Sequence, residues 1–238
     1  MEHLKRKVAP FILRRMKEDV LKDLPPVSEI IYHCGLSPLQ QELYKSYADS
    51  AREELTRLVA KEGFDRVRIH VLATLTRLKQ ICCHPAIFAK EKAEAGDSAK
   101  FDMLVDLLQS LIEGGHKTVV FSQYTRMLHI LREDFEERGI HYAYLDGSSK
   151  DRMSIVKRFN EDASIPVFLV SLKAGGVGLN LVGADTVIHY DMWWNPAVEN
   201  QATDRVHRIG QKKSVSSYKF VTLGTIEEKI VELQNRKK

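Results

Sequence analysis

The sequence predicts an α/β fold in which a doubly wound parallel sheet follows a helical segment. From residue 98 onward, short apolar stretches alternate with stretches whose apolar residues recur at helical spacing. Strands that are apolar on both faces indicate a parallel sheet covered by helices on each side. Residues 1–97 contain mainly helical patterns, so we divide the chain into a helical segment, 1–97, and an α/β domain, 98–238.

Two helices dominate the helical segment. The first is predicted over 39–60, because Ser37 is a favourable N-cap and Pro38 suits the first helical position. The second is predicted over 66–82 and stops before Pro85. The other elements predicted here are a short strand at 29–36 and a polar linker at 90–97.

The α/β domain contains five predicted strands joined by amphipathic helices. The strands are at 118–121, 140–145, 167–170, 186–190 and 216–221. Gly114 and Gly139 are stop signals for two of the helices. Another helix is predicted to begin at Ser148, with Asp151 three residues later in a capping-box arrangement.

The composition is that of an ordinary globular protein, because 44% of the 238 residues are hydrophobic and 29% are charged. No apolar run approaches the roughly 20 residues that a membrane helix needs. The N-terminus lacks the apolar region of a signal peptide. Three cysteines cannot form a disulfide framework, which indicates a reducing compartment.

The net charge of +4 is mild, but basic residues cluster within 1–17 and 204–213. Lys and Arg release counterions from nucleic-acid phosphates, so such clusters suit a phosphate-backbone partner. An isolated basic run is more often a solvated face, and charge by itself does not decide the function.

In a sheet of this kind, ligands bind at the carboxyl ends of the strands. Ser122 and Gln123 follow the first strand of the domain, where free backbone N–H groups can hold a phosphate. Simple capping of the next helix explains them equally well. Residues 146–149 follow the second strand, and a turn with a helix cap accounts for them.

A glycine-rich stretch, residues 171–181, follows the third strand and is called the glycine loop below. Three glycines fall within four positions, namely Gly175, Gly176 and Gly178. They permit the close approach and positive φ that an anion-binding loop requires, and Lys173 adds a cation. No Gly-Lys-Ser/Thr follows, so this is not a Walker A loop. The alternative is a flexible turn.

Arg205 and Arg208 stand three positions apart in a segment predicted to be helical. On a helix they would share one face and could converge on one phosphate. Arginine suits that role because its planar fork stays charged and binds phosphate oxygens in pairs. A surface arginine pair is commonly solvated charge, and Trp193 and Trp194 could equally be core residues.

Four segments in this order resemble the later motifs of superfamily 2 helicases, and their detailed form is similar to the SWI/SNF family. They are Phe-Ser-Gln at 121–123, Leu-Asp-Gly-Ser at 145–148, the glycine loop, and Gln-Ala-Thr-Asp-Arg-Val-His-Arg-Ile-Gly-Gln at 201–211. Further segments that resemble this family are Trp-Asn-Pro at 194–196, Pro-Phe-Ile-Leu-Arg-Arg at 10–15, Leu-Pro-Pro at 24–26 and Gln-Ile-Cys-Cys-His-Pro at 80–85. The resemblance therefore covers nearly the whole chain.

The resemblance implies a RecA-like lobe, the second of two, in an ATP-driven motor that moves along duplex DNA. It implies that Arg205 and Arg208 are arginine fingers for the γ-phosphate of ATP. The positions implied to line the nucleotide cleft are Gly176, Gly178 and Gln201. The positions implied to hold DNA are Ser122, Gln123, Lys173, Gly175 and Trp194.

The sequence contains neither a Gly-Lys-Thr phosphate loop nor an Asp-Glu-x-His box, which this family carries in its first lobe. We therefore expect the chain to begin near the end of that lobe and to depend on it for ATP and Mg²⁺. By itself the chain is expected to be inactive as an ATPase. The expected partners are double-stranded DNA, the first lobe and, for the isolated chain, another copy of itself. No membrane partner is expected. No metal is expected in this lobe, because the adjacent Cys82 and Cys83 suit a buried helix end better than a metal site.

Two other functions remain open. One is a lobe of another superfamily 2 branch, although Gln201 is followed by Ala-Thr-Asp rather than the x-x-Gly typical there. The other is a non-catalytic module that binds DNA or a partner, which leaves the arginine pair unexplained. The compact motif spacing favours a bacterial or archaeal source, with the cytoplasm or nucleoid as location, and a eukaryotic source would place the protein in the nucleus.

Overall fold

A six-stranded parallel sheet forms the centre of the molecule in the computed structural model, which describes residues 7, 24–89, 94, 96–175 and 178–236. The strands are β1 (Val27–Cys34), β2 (Thr118–Ser122), β3 (Tyr142–Leu145), β4 (Val167–Ser171), β5 (Thr186–His189) and β6 (Val215–Thr222). Their order across the sheet is β1-β6-β5-β2-β4-β3, and every neighbouring pair is parallel. The predicted doubly wound α/β fold is confirmed.

Helices connect the strands and cover both faces of the sheet. They are α1 (Pro38–Glu62), α2 (Phe64–Cys83), α3 (Pro85–Ala89), α4 (Ala99–Glu113), α5 (Thr125–Arg138), α6 (Arg152–Glu161), α7 (Leu172–Gly175), α8 (Pro196–Thr203) and α9 (Ile226–Asn235). On one face, α4 and α5 pack their apolar stripes against the sheet. On the other face, α6 and α8 pack in a second apolar cluster. None of the described helices is both long and apolar enough to cross a membrane.

The first strand lies at an edge of the sheet, although it precedes the α/β domain in the sequence. Its register with β6 runs from Val27 opposite Val215 to Cys34 opposite Thr222. The short strand predicted at 29–36 is therefore present, slightly earlier than expected and as the sixth member of the sheet. The division at residue 97 stays a prediction, and the sheet takes one strand from before it and five from after it.

Helix α1 begins as the sequence predicts, with Ser37 as N-cap and Pro38 in the first turn. Gln40 completes a capping box, and its buried side chain continues further. Its Nε2 donates to the carbonyl oxygens of Ile81 at 2.8 Å and Cys82 at 3.2 Å, at the end of α2. One side chain thus joins the start of α1 to the end of α2.

The predicted start of α6 is wrong by three residues. Asp151, not Ser148, is the N-cap, and its carboxylate accepts from the Ser154 N–H at 3.3 Å. Ser148 instead donates its N–H at 2.9 Å and its hydroxyl at 2.7 Å to Asp146. Ser148 could either cap the helix or bind within the turn before it. Its two hydrogen bonds to Asp146 hold it in the turn.

Some predicted features lie outside the described residues. They are the basic stretch 1–17 apart from Lys7, the motif at 10–15, positions 90–93 and 95 of the linker, and Gly176.

Candidate functional site

The loops that carry the predicted motifs lie together at the carboxyl ends of the central strands. Strand β2 lies between β5 and β4, so the carboxyl ends of these three parallel strands are neighbours. Ser122 ends β2, Ser171 ends β4, and Asp191 follows β5 by two residues. A doubly wound sheet binds its ligands at the carboxyl ends of its strands.

Asp191 holds two of these loops together. Its carboxylate accepts the hydroxyl hydrogen of Ser122 and the Gln123 N–H, the latter at 3.2 Å. Asp191 is only 4% exposed, and this burial raises the pKa of its carboxyl group, while nearby Lys79 and the hydrogen bonds act against the rise. We call residues 122–124 the serine loop and residues 190–195 the tryptophan loop. Asp191 clamps one to the other.

The backbone of the tryptophan loop is fixed by α8 and α9. The Trp193 N–H donates to Glu199 Oε1 at 2.8 Å, and Gln234 Nε2 donates to the Trp193 carbonyl at 2.5 Å. Glu199 is buried, which raises the pKa of its carboxyl group, and Lys219 lies 3.5 Å away as its cation. The rings of Trp193 and Trp194 are half-buried, so the loop presents aromatic surface from a rigid base.

The predicted helix face for the two arginines is wrong. Helix α8 ends at Thr203, and Arg205 and Arg208 lie in the turns that follow. The reason is a tertiary contact: the Arg205 carbonyl accepts the Leu181 N–H at 2.9 Å. Residues 204–211 are called the arginine segment below.

The arginine segment and the glycine loop form one unit. Arg208 Nη1 donates to the Leu179 carbonyl at 3.2 Å, in addition to the bond between Arg205 and Leu181. Both arginine side chains are half-buried. The two motifs that the sequence singled out separately are thus held against each other by hydrogen bonds.

Gln211 closes this unit, although no role for it was predicted from the sequence. Its buried Nε2 donates to the carbonyls of Ala184 at 2.8 Å and Val206 at 3.2 Å. Its Oε1 accepts the N–H groups of Lys212 and Lys213, each at 2.9 Å. The only signal in the sequence was its place directly after Gly210, at the end of the motif.

The other predicted site residues take varied positions along the same loops. Lys173 is exposed in α7, and Gln201 is exposed on α8. Gly175 ends α7, and Gly178 has φ +47°, in the left-handed region that favours glycine. Ser122 is buried, so its hydroxyl faces Asp191 and the protein interior.

Cys82 and Cys83 are fully buried at the end of α2. Burial raises the pKa of the Cys82 thiol to about 12, so it stays protonated at neutral pH. Among the described residues, no group of three or more His, Cys, Asp or Glu side chains comes together as a metal site.

Comparison with known proteins identifies the family to which this fold belongs. Residues 1–87 match the SNF2-related domain, and residues 99–210 match the helicase conserved C-terminal domain. The SWI2/SNF2 ATPase C-terminal domain of Sulfolobus solfataricus superposes with a TM-score of 0.74 at 31% identity, over 89% of this chain and 86% of that one. The chain belongs to the SWI2/SNF2 family. It is a helicase-like ATPase lobe of that family, with the RecA-like fold that the resemblance implied.

Two further similarities bear on the site. The Sulfolobus solfataricus ATPase core in complex with dsDNA superposes with a TM-score of 0.77 at 33% identity, over 99% of this chain and 50% of that one. The putative ATP-dependent helicase/translocase YwqA of Bacillus subtilis is 41% identical over 235 residues, which cover 95% of this chain and 25% of the relative. The chain spans between 15% and 25% of the length of the curated relatives that it matches.

Proposed function

We propose that this chain is the second motor lobe of an ATP-driven double-stranded DNA translocase, with Arg205 and Arg208 as arginine fingers. The observation that carries the proposal is the attachment of the arginine segment to the glycine loop, through the Arg208 side chain to Leu179 and the Arg205 backbone carbonyl to Leu181. Charges that are already in place need no rearrangement as charge develops in a transition state. Arginine fingers contribute about 10³–10⁵ in rate for this reason.

In this proposal the first lobe binds ATP and its Mg²⁺, and the present lobe completes the site from the opposite wall. Arg205 and Arg208 would approach the γ-phosphate and spread its developing negative charge. Gly176, Gly178 and Gln201 would line the cleft near the nucleotide. The described residues offer no cluster of metal ligands, so the proposal assigns this lobe no step at the metal.

Duplex DNA would lie along the serine, glycine and tryptophan loops. Lys173 offers an exposed cation to a phosphate, and Gly175 allows the backbone to approach closely. Gln123 and Trp194 would contact the backbone or groove. Ser122 would contribute through Asp191, by holding the serine loop in shape. The dsDNA complex of the Sulfolobus relative supports this partner.

The decisive experiment is DNA-stimulated ATP hydrolysis by the full-length protein that contains this lobe, with Arg205→Ala and Arg208→Ala beside wild type. We expect each variant to lose about 10³-fold or more in hydrolysis, because a positioned transition-state charge is gone. Binding of duplex DNA should stay within about threefold, since no finger is needed for it. The isolated 238-residue chain is a further control and should not hydrolyse ATP.

Arg138→Ala is the matched control, because Arg138 lies at the end of α5 in an exposed pair with Asp134. Hydrolysis by that variant should equal wild type. Retention of hydrolysis in both finger variants would instead favour a non-catalytic DNA-binding module. Stimulation by single strands or RNA in place of duplex DNA would favour another superfamily 2 activity.

A further inference from the structure

Lys79 is a buried cation that the motifs leave unexplained. It lies near the end of α2, in the helical segment, and is only 1% exposed. Its Nζ makes no hydrogen bond within the part of the chain that the structure describes. A buried ammonium group is costly unless other charges or polar groups compensate it. The groups around its Nζ therefore indicate its role.

The groups that compensate Lys79 belong to the tryptophan loop. Its Nζ lies 5.3 Å from the ring centre of Trp194 and 6.0 Å from that of Trp193, within the range of a cation–π contact. It also interacts electrostatically with the buried carboxylate of Asp191. Lys79 thus lies against the tryptophan loop and acts electrostatically on the carboxylate that clamps the serine loop to it.

We infer that Lys79 is a positioning residue, by which helix α2 fixes the serine and tryptophan loops for duplex DNA. This role rests on the proposed function, since those loops are the proposed DNA contacts. Without the ammonium, Asp191 loses a positive charge that acts on its carboxylate, and the two indole rings lose their shared cation. The clamp between the loops then loosens.

The residues that Lys79 contacts are different from those that hold the two proposed finger arginines, so an effect on DNA binding can be distinguished from one on catalysis. Arg205 and Arg208 are held by Leu179 and Leu181 of the glycine loop, a set of contacts that does not involve Lys79. Removal of Lys79 is therefore expected to weaken the use of DNA while the arginines stay in place. A residue that only stabilised the fold would impair both to the same degree.

The test compares Lys79→Met with Lys117→Met. Lys117 is a half-buried lysine at the opposite end of β2, and its Nζ donates to the carbonyls of Phe159 and Asp162. Both substitutions remove a lysine that packs against the fold. Trp193 and Trp194 are the two tryptophans of the sequence, so tryptophan emission, excited where the tyrosines do not absorb, reports on the tryptophan loop of the isolated chain.

In the isolated chain we expect Lys79→Met to shift the tryptophan emission and Lys117→Met to leave it unchanged. In the full-length protein, Lys79→Met should raise the duplex concentration for half-maximal ATPase stimulation about tenfold. The hydrolysis rate at saturating DNA should stay within about twofold of wild type. Wild-type emission with wild-type DNA dependence in Lys79→Met, or equal effects of both substitutions, would overturn the role of Lys79.

A double variant covers the case in which Lys79→Met does not fold. Lys79→Met with Asp191→Asn leaves no isolated buried charge, and the same changes in emission and DNA dependence are expected. A wild-type protein that duplex DNA does not stimulate would overturn the proposed function and the DNA role. The emission comparison would still decide whether Lys79 fixes the loops.

Discussion

At the scale of single residues, Asn160 sets the path of the chain out of the glycine loop. Its Nδ2 donates to the Asn180 carbonyl at 2.8 Å, and its Oδ1 accepts the Gly183 N–H at 3.0 Å. Gly183 approaches so closely that a Cβ there would lie 2.7 Å from Asn160 Cα. The contact is with backbone, which cannot give way as a flexible side chain can.

We predict that Gly183→Ala lowers the free energy of unfolding by about 1–3 kcal/mol, the usual cost of overpacking. Urea denaturation of the isolated chain measures it. Gly147→Ala is the matched control, because a Cβ at Gly147 meets nothing within 4 Å. Equal unfolding midpoints for the two variants would show that the contact with Asn160 relaxes without cost.

Residue-scale partnerships explain what the sequence could and could not indicate about the site. The loop positions followed from local patterns, since each motif comes directly after an apolar strand. The partners Lys79 and Asp191 are 112 positions apart, and only the folded sheet brings them together. A hint exists for Lys79: with Leu75, Leu78 and Cys82 it falls on one face of a helix, where an apolar residue would be expected.

At the scale of elements, a buried ion pair joins α4 to α9. Lys100 Nζ lies 2.5 Å from Glu227 Oε2, and both side chains are fully buried. Burial lowers the pKa of Lys100, but the Glu227 carboxylate and the nearby Cys83, Cys34 and Cys82 together raise it more, so that the net shift is upward. Glu227 also accepts the Thr222 N–H at 2.8 Å, which ties α9 to the end of β6.

We predict that Lys100→Met destabilises the fold by about 3–5 kcal/mol, because it leaves the Glu227 carboxylate buried without its cation. Adding Glu227→Gln should restore most of the loss, since no isolated charge then remains. Thermal or urea unfolding of the isolated chain distinguishes these outcomes. Lys229→Met is the control, because Lys229 on the same helix pairs with Glu232 at the surface, where the cost is about 0–1 kcal/mol.

The elements that the sequence predicted well are those with local causes. Helix α1 follows from Ser37 and Pro38, which act on the adjacent turn. The helix predicted through Arg205 and Arg208 was wrong because the Arg205 carbonyl binds Leu181 of a distant loop instead of an N–H further along a helix. Contacts between distant segments do not produce a repeating hydrophobic pattern, so sequence periodicity cannot indicate them.

At the scale of the whole molecule, buried histidines make stability depend on pH. Burial lowers the pKa of His189 to about 3, against about 6.5 in an unfolded chain. Between these values the unfolded chain binds a proton that the folded chain does not. Stability from this residue is therefore complete above pH 6.5 and is lost as the pH falls.

We predict that His189 accounts for a loss of about 2 kcal/mol in the free energy of unfolding between pH 7 and pH 5. Denaturation of wild type and His189→Gln at pH 7 and pH 5 measures this loss. The slope of the free energy of unfolding against pH should be steeper in wild type than in the variant, and the difference is the contribution of His189. Groups common to both proteins cancel, including Asp191, whose raised pKa acts in the opposite direction. Equal slopes would contradict the assignment.

The edge position of β1 has a consequence for how the protein is made. Cys34 in β1 meets Thr222 in β6, which is 188 residues later in the chain. At a ribosomal rate of about 5–20 residues per second, β1 is synthesised roughly 10–40 s before its partner exists. Glu29 and His33 place polar groups along it, which discourages pairing with other nascent chains in that interval. Of the six strands, β1 is synthesised first, but it can join the sheet only after β6, the last, has been made.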